Sequence, residues 1–261
     1  MAALLRQFCW LFWLVTFSCC AEEQYGPSFD CKQAKLEIEQ DICSNDVLAR
    51  ADQFIHDCYQ ALLSQSGDKN KLIAEQRAWL QSRNHFRDNN RNRIFFNNEP
   101  FEQGGFGETE QLIAAFDTRI TQLFSRLPPS QQEQLREHYL QQRGYHHAPS
   151  DPVEKMVYQQ EREDAFNNMT HDCSYTTYAI IRNKDGLAVI AVQESTVCGG
   201  TSHVFTDINS YCVHGEDITP TDTSARQDEA GIETNQLSID DERIVAFANS
   251  LSAKTLCEMT K

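Results

Sequence analysis

FDCKQAKLEIEQDIC, residues 29–43, places two cysteines, Cys31 and Cys43, at the ends of a short polar segment. Ser44-Asn45-Asp46 follows directly, and its side-chain oxygens can accept hydrogen bonds from the free N–H groups of a first helical turn. VLARADQFIHDCYQALL (47–63) then has apolar residues at helical spacing. This part of the chain therefore predicts a helix that begins beside a pair of cysteines.

A second helix is predicted over residues 71–88, after a break at residues 64–70 that contains Gly67. Because the connection is short, the two helices are expected to lie antiparallel. The second helix carries AEQRAWLQSRN (74–84), which places three side chains on one helix face at intervals of four, namely Glu75, Trp79 and Arg83.

This order of parts, with AEQRAWLQSRN (74–84) in the second helix, resembles the LprI-like N-terminal domain of a family of exported bacterial proteins named for a lysozyme inhibitor. The resemblance covers residues 28–88. It implies a Cys31–Cys43 disulfide that ties the start of the helix pair, a lysozyme as partner, and no catalytic residues. Family members usually carry an acidic residue and a cysteine after the arginine. Asn84-His85-Phe86 stands here instead, so the cross-link that such a cysteine could make is absent.

The face of Glu75, Trp79 and Arg83 has two interpretations. One is a contact surface for a partner protein. The other is a core tryptophan flanked by an intramolecular ion pair.

The N-terminal segment predicts export. Residues 8–17 are apolar apart from Thr16, and this run of about ten residues is shorter than the roughly 20 that span a bilayer. We therefore predict a signal peptide over residues 1–21, cleaved after Ala21, and a periplasmic protein. The competing interpretation is a lipoprotein anchored through Cys19 or Cys20.

Cysteines in an oxidising compartment indicate disulfides first. The four distal ones are predicted to form two bonds whose pairing the sequence leaves open: Cys173, Cys198, Cys212 and Cys257. Cys58 shares an apolar helix face with Ile55 and Leu62, which favours a buried thiol. Dimer formation through Cys58, or a further disulfide, is the alternative.

The chain has 23 basic and 38 acidic residues and a net charge of −15. Removing residues 1–21 also removes Arg6, which leaves 22 basic residues and a net charge of −16. This balance argues against nucleic acid and anionic membranes as partners and favours a cationic protein, as lysozymes commonly are. Simple solubility is the alternative explanation.

A mainly helical region is predicted over residues 22–168, divided into the LprI-like domain (22–90) and a further helical segment (91–168). Residues 89–107 are rich in Asn and Gly and are expected to form a loop or a boundary between units. Helical spacing or start signals then predict three more helices, over residues 107–127, 131–142 and 152–166.

The spacing of apolar residues changes after residue 168, from a helical pattern to a strand pattern. Three runs rich in β-branched and aromatic residues predict strands joined at the first turn by Asn183-Lys184-Asp185-Gly186, namely residues 174–182, 187–196 and 202–213. Residues 215–236 are expected to form an acidic loop. Ser238 is expected to cap one last helix reaching Cys257, with Asp241 supporting its first turn.

The fold class is thus α+β, with a small disulfide-bonded antiparallel-sheet plus helix domain over residues 169–261. We predict that two units divide near residues 168–173. The alternative is that the helix at 152–166 packs on the sheet and belongs to the second unit.

No residue pattern points strongly to catalysis. Cys198-Gly199-Gly200 with His203 and His214 could form a thiol nucleophile and base, but a disulfide half is the stronger interpretation. His146-His147 and His171-Asp172 lack the spacing of a metal motif. No catalytic residue, metal or cofactor is therefore predicted.

The sequence predicts an exported, non-enzymatic binding protein, with a lysozyme-like muramidase as the best named target. An envelope hydrolase that uses the C-terminal domain, and an immunity-type protein that protects the cell wall from a toxin, remain as alternatives.

Overall fold

The computed structural model describes residues 26–85, 94–96, 99–101, 108–170, 174–183, 185, 187–198, 201–232 and 237–258. The predicted signal peptide lies outside the described residues, as do Phe86, His171, Asp172 and Cys173, and so do the side chains of Cys198 and His203.

The polar segment between the first two cysteines is itself folded. A 3-10 turn over Cys31–Gln33 is followed by helix α1, Glu37–Ser44. The Glu39 carboxylate accepts hydrogen bonds from the backbone N–H groups of Lys35 and Leu36, at 2.9 and 3.1 Å, and these bonds lower the pKa of Glu39. The sequence had predicted no helix here, because the segment is short and mostly polar.

The predicted helix pair is α2, Asp46–Gln65, and α3, Lys69–Asn84. Within the predicted start cluster, Asn45 is the N-cap of α2, and its side chain accepts from the backbone N–H of Leu48 at 3.0 Å. Asp68 caps α3 in the same way through Lys71.

Cys31 and Cys43 form the disulfide that the family resemblance implied, with 5.8 Å between their Cα atoms. The bond joins the 3-10 turn to the C-terminal end of α1. Between the cysteines, Ile38 and Ile42 are buried in the helical core. The disulfide therefore holds a short helix whose own hydrogen bonds are few.

Replacing Cys31 with serine is expected to lower the melting temperature of the helical region. The bond closes a loop with a sequence separation of 12, and losing it removes about 3 kcal/mol in the chain-entropy model. Thermal unfolding followed by circular dichroism at the helix minimum measures this. The Cys31→Ser/Cys43→Ser double variant should melt with the single variant, because both lack the same bond. An unchanged melting curve would contradict the stabilising role.

The three further helices are confirmed as α4, Glu108–Phe124, α5, Pro129–Gln142, and α6, Pro152–Asn167. They pack around α2, and Phe54 of α2 and Phe116 of α4 are fully buried between the helices. The predicted loop at 89–107 was wrong in part, because it contains an antiparallel hairpin of strands β1, Ile94–Phe96, and β2, Glu99–Phe101. Three-residue strands give too short an alternation for the sequence to signal.

The predicted sheet is present as four antiparallel strands in the order β3-β4-β5-β6. Ile180 of β3 opposes Ile190 of β4, which opposes Asn209 of β5. The bounds of the strands are Ser174–Arg182, Leu187–Cys198, Thr201–His214 and Asp217–Thr221.

The prediction of a loop over residues 215–236 was wrong. It contains β6 and a short helix α7, Ser224–Glu229. Gly215 has φ +64°, which permits the tight turn that folds β6 back onto β5. The Thr223 side chain is buried and shares a hydrogen bond of 3.0 Å with the Ser210 hydroxyl. The sequence did not predict β6 and α7, because their residues are mostly polar and some of their buried contacts are polar as well.

The prediction of a single last helix was also wrong. Helix α8, Glu242–Ser250, ends before Leu251, whose φ −77° and ψ 137° are extended, and α9 covers Ala253–Glu258. Asp241 is the N-cap of α8, not Ser238, and its carboxylate accepts from the backbone N–H of Arg243. A disulfide between Cys212 and Cys257 joins β5 to α9.

Helices cover both faces of the sheet. Val153 and Val157 of α6 pack against Ala188 and Ile190, while the opposite face of β4 packs under α8 through Phe247. The far end of α6 enters the helical core. This arrangement supports the alternative in which α6 belongs to the sheet unit, and the boundary near 168–173 stays a prediction.

Candidate functional site

Glu75, Trp79 and Arg83 all lie on α3, but the two charged groups have their partners elsewhere in the chain. The Glu75 carboxylate bonds the Arg126 guanidinium at 2.8 Å, and Arg83 bonds Asp52 at 3.0 Å. The intramolecular pair expected between Glu75 and Arg83 is therefore replaced by two pairs, which tie α3 to the turn after α4 and to α2.

Trp79 is half-buried and packs into the helical core. Its ring meets the Phe116 ring edge-on, with 5.5 Å between centroids. The guanidinium groups of Arg83 and Arg119 lie 5.8 and 5.7 Å from the ring centroid. Two cations near one indole give an attraction that is stronger when partly shielded from water. Trp79 thus has an internal role in joining α3 to α4.

The Arg83–Asp52 pair is the most buried ion pair among the described residues, with side-chain exposures of 8% and 4%. Asp52 also accepts from the backbone N–H and the hydroxyl of Ser28, at 3.0 and 2.6 Å. Arg83 donates to Asn84 as well. Burial lowers the pKa of Arg83, and the charges of Asp52 and Glu39 oppose that shift. The pair holds the N-terminal segment, α2 and α3 together.

Sequence reasoning missed Asp52. A signal was present, since Asp52 lies four residues after Leu48 and three before Ile55, inside the apolar stripe of α2. A carboxylate in such a stripe needs a cationic partner when the helix packs. The sequence does not say which cation that is.

A second buried cation also lies near the Trp79 ring. Arg119 of α4 is 6% exposed, and its guanidinium donates to the Gln76 side-chain oxygen at 2.7 Å. Burial lowers the pKa of Arg119, while the charge of Glu75 raises it. Gln76 lies on the buried side of α3, so this bond fixes the rotation of α3 against α4.

Cys58 has no exposed surface, and the prediction of a buried thiol is confirmed. Burial, with a smaller contribution from the neighbouring Asp57 charge, raises the pKa of this thiol to about 12. A thiol that stays protonated at neutral pH is a poor nucleophile.

The histidines singled out by sequence are not assembled into a site within the described residues. His146 and His147 are exposed, with 6.5 Å between their ring centroids. His214 is exposed at the end of β5. Where the chain is described, no group of three or more His, Cys, Asp or Glu residues is placed to hold a metal ion. Nor does any described helix combine the length and apolar character needed to cross a bilayer.

Comparison with known proteins gives a match to a family model. No curated protein and no solved structure matches the chain. The sequence model of the family described as Lysozyme inhibitor LprI matches residues 31–123, beyond the predicted limit of residue 88. It begins at the first disulfide cysteine and includes nearly all of α4, which contacts α2. The helical unit formed by α1 to α4 thus matches the LprI lysozyme-inhibitor family, and the four-stranded sheet lies outside the match.

Proposed function

We propose that the protein is an exported, non-enzymatic binding protein that inhibits a lysozyme-like muramidase. The match of residues 31–123 to a lysozyme-inhibitor family carries the proposal. An inhibitor of this kind works by occupying or covering a substrate cleft, which requires a folded, rigid surface and no reactive group. The helical unit supplies such a surface, since its helices are tied by a disulfide and a buried ion pair.

Charge favours the same partner. The chain carries a net −15, and lysozymes commonly carry a net positive charge. Opposite net charges speed the encounter of two proteins, and the effect weakens as salt screens it. Binding to the target should therefore be fastest at low ionic strength.

On α3, Glu75 carries the more exposed of the two charged groups in the predicted contact set. Trp79 packs against Phe116, and Arg83 pairs with Asp52. The Glu75 side chain, in contrast, is 34% exposed and lies beside Arg126, which is 44% exposed. An exposed ion pair can exchange its internal partner for a cation on another protein at small energetic cost. We propose that Glu75 contacts the muramidase.

The test is a cell-wall lysis assay. Protein recovered from the periplasm of an expression host is mixed with lysozymes of several types, and the fall in turbidity of a cell-wall suspension is followed. At least one lysozyme should be inhibited at micromolar inhibitor, with binding that weakens as salt increases. If no lysozyme is inhibited or bound at that concentration, the proposed target is wrong.

Two variants with the same charge change locate the contact. Glu75→Gln and Glu229→Gln each remove one carboxylate from a surface ion pair, with Arg126 at 2.8 Å and Arg226 at 2.9 Å. Glu75→Gln should slow association about two- to five-fold, as expected for a charge at the rim of an interface, while Glu229→Gln should not. Equal effects would mean that only net charge matters.

A further inference from the structure

Strand β3 is an edge of the sheet. Among the described residues it pairs with β4 on one side, and no described strand lies on the other. An unpaired edge presents a row of backbone donors and acceptors to any other extended chain. The groups available for such pairing are the backbone N–H and C=O groups of β3 that point away from β4.

The hairpin geometry identifies those residues. The Asn183 N–H donates to the carbonyl of Leu187, and these residues stand opposite each other one step beyond the pair Arg182–Ala188. In an antiparallel ladder, hydrogen-bonded pairs alternate with pairs whose N–H and C=O groups point away. The even-numbered residues of β3 therefore turn their backbone groups away from β4: Ser174, Thr176, Tyr178, Ile180 and Arg182.

The opposite edge of the sheet is protected, and this one is not. β6 has five residues, contains Pro220 and carries Asp217 at its start. Short length, proline and charge are the usual features that prevent strand addition. β3 has nine residues, SYTTYAIIR, with no proline and one charge, Arg182, at its last position.

The edge also leaves apolar side chains incompletely covered. Tyr178, Ala179, Ile180 and Ile181 are half-buried, although they alternate between both faces of the sheet. Three of their four partners on β4, Val189, Ile190 and Ala191, are buried. A further strand beside β3 would cover this remaining apolar surface on both faces at once.

We propose that β3 is a dimer interface, at which β3 of a second copy of this chain pairs antiparallel to it. The register that uses all nine residues places Tyr178 opposite Tyr178 of the partner subunit, and it makes the outward-facing even-numbered residues hydrogen-bonded pairs. It places Arg182 opposite Ser174 of the partner subunit.

A second copy of this chain is compatible with the charges and the topology of the sheet. Each chain carries a net −15, yet the proposed register opposes no two like charges along the strand pair. The interface is the same patch on both copies, so it closes after two subunits. Protection of the β6 edge by Pro220 prevents further addition. The proposal concerns the sheet, and it is independent of the inhibitory function proposed for the helical unit.

Thr176→Pro tests the interface through one backbone N–H. This N–H points away from β4, so proline removes no bond of the β3–β4 ladder. The native protein, recovered from the periplasm, should sediment as a dimer at micromolar concentration, and Thr176→Pro as a monomer of half that mass. Thr176→Val keeps the N–H and should remain dimeric. A monomeric native protein, or a dimeric proline variant, would overturn the proposal.

Amide hydrogen exchange gives an independent readout that does not depend on the variant folding. In the native dimer the amides of Thr176, Tyr178 and Ile180 should exchange slowly, as should those of the β4-facing Thr177 and Ala179. Exchange of the first three as fast as in an open strand would overturn the proposal. In a folded Thr176→Pro variant, the amides of Tyr178 and Ile180 should become fast while those of Thr177 and Ala179 stay slow.

Discussion

Replacing Asp52 with alanine is expected to lower the free energy of unfolding of the helical region by about 3–5 kcal/mol. The substitution leaves the Arg83 guanidinium, 8% exposed, without its counter-charge at 3.0 Å. It also removes the acceptor of two hydrogen bonds from Ser28. A buried cation without a counter-charge destabilises the fold through its desolvation, unless α3 moves away from α2 and exposes the guanidinium to water.

Denaturant unfolding monitored by tryptophan fluorescence measures this loss. Trp79 is the one tryptophan of the chain after residue 13, and the Arg83 guanidinium lies 5.8 Å from its ring. Its emission therefore reports on the region that the substitution disturbs. Asp52→Asn should cost less than Asp52→Ala, because the amide oxygen can still accept from Ser28.

The exposed ion pair of Glu75, which shares α3 with Arg83, and Arg126 is the matched control. Glu75→Ala removes a carboxylate at a similar distance from its arginine, but both side chains are at least one third exposed. Its loss is expected to stay below about 1 kcal/mol. Replacing both Asp52 and Arg83 with Leu and Met should recover much of the stability lost in Asp52→Ala, because no buried charge remains unpaired. Equal losses for Asp52→Ala and Glu75→Ala would mean that burial of the pair contributes nothing.

The sequence predicts those elements whose apolar spacing is regular. Helices α2 to α6 and strands β3 to β5 were expected within a few residues of their bounds, from helical spacing, helix-start signals and runs of β-branched and aromatic residues. Elements held by capping, disulfides or buried polar contacts were missed or misread. The break between α8 and α9 belongs to this class, since Cys257 is positioned by its bond to Cys212.

The candidate site shows more clearly what the sequence cannot predict. Spacing of four correctly placed Glu75, Trp79 and Arg83 on one helix, because that follows from helical geometry alone. Their partners stand 51 and 31 residues away, at Arg126 and Asp52. Local sequence holds no information on which distant charge packs against a helix face, so the ion pair was assigned within α3.

A fragment of residues 151–261 is expected to fold alone, whereas one of residues 169–261 is not. Without α6, Ala188 and Ile190, which are 0% and 3% exposed, would face water across the middle of the sheet. The shorter fragment would also lose the bonds from Tyr178 to Asp164 and from Arg182 to Asp151. Both fragments contain all four distal cysteines, so a difference between them cannot come from missing disulfides.

The fragments should be expressed in an oxidising compartment and compared by circular dichroism and by the dispersion of their proton spectra. Residues 151–261 should give a cooperative thermal transition, and residues 169–261 should aggregate or stay unfolded. Two valine substitutions separate packing from solubility within the longer fragment. Val157→Asp buries a charge where the side chain is 7% exposed, and it should prevent folding, while Val245→Asp at 45% exposure should not. A shorter fragment that folds with its cysteines oxidised would place the boundary near residues 168–173 and leave α6 to the helical unit, whose core already contains Phe166.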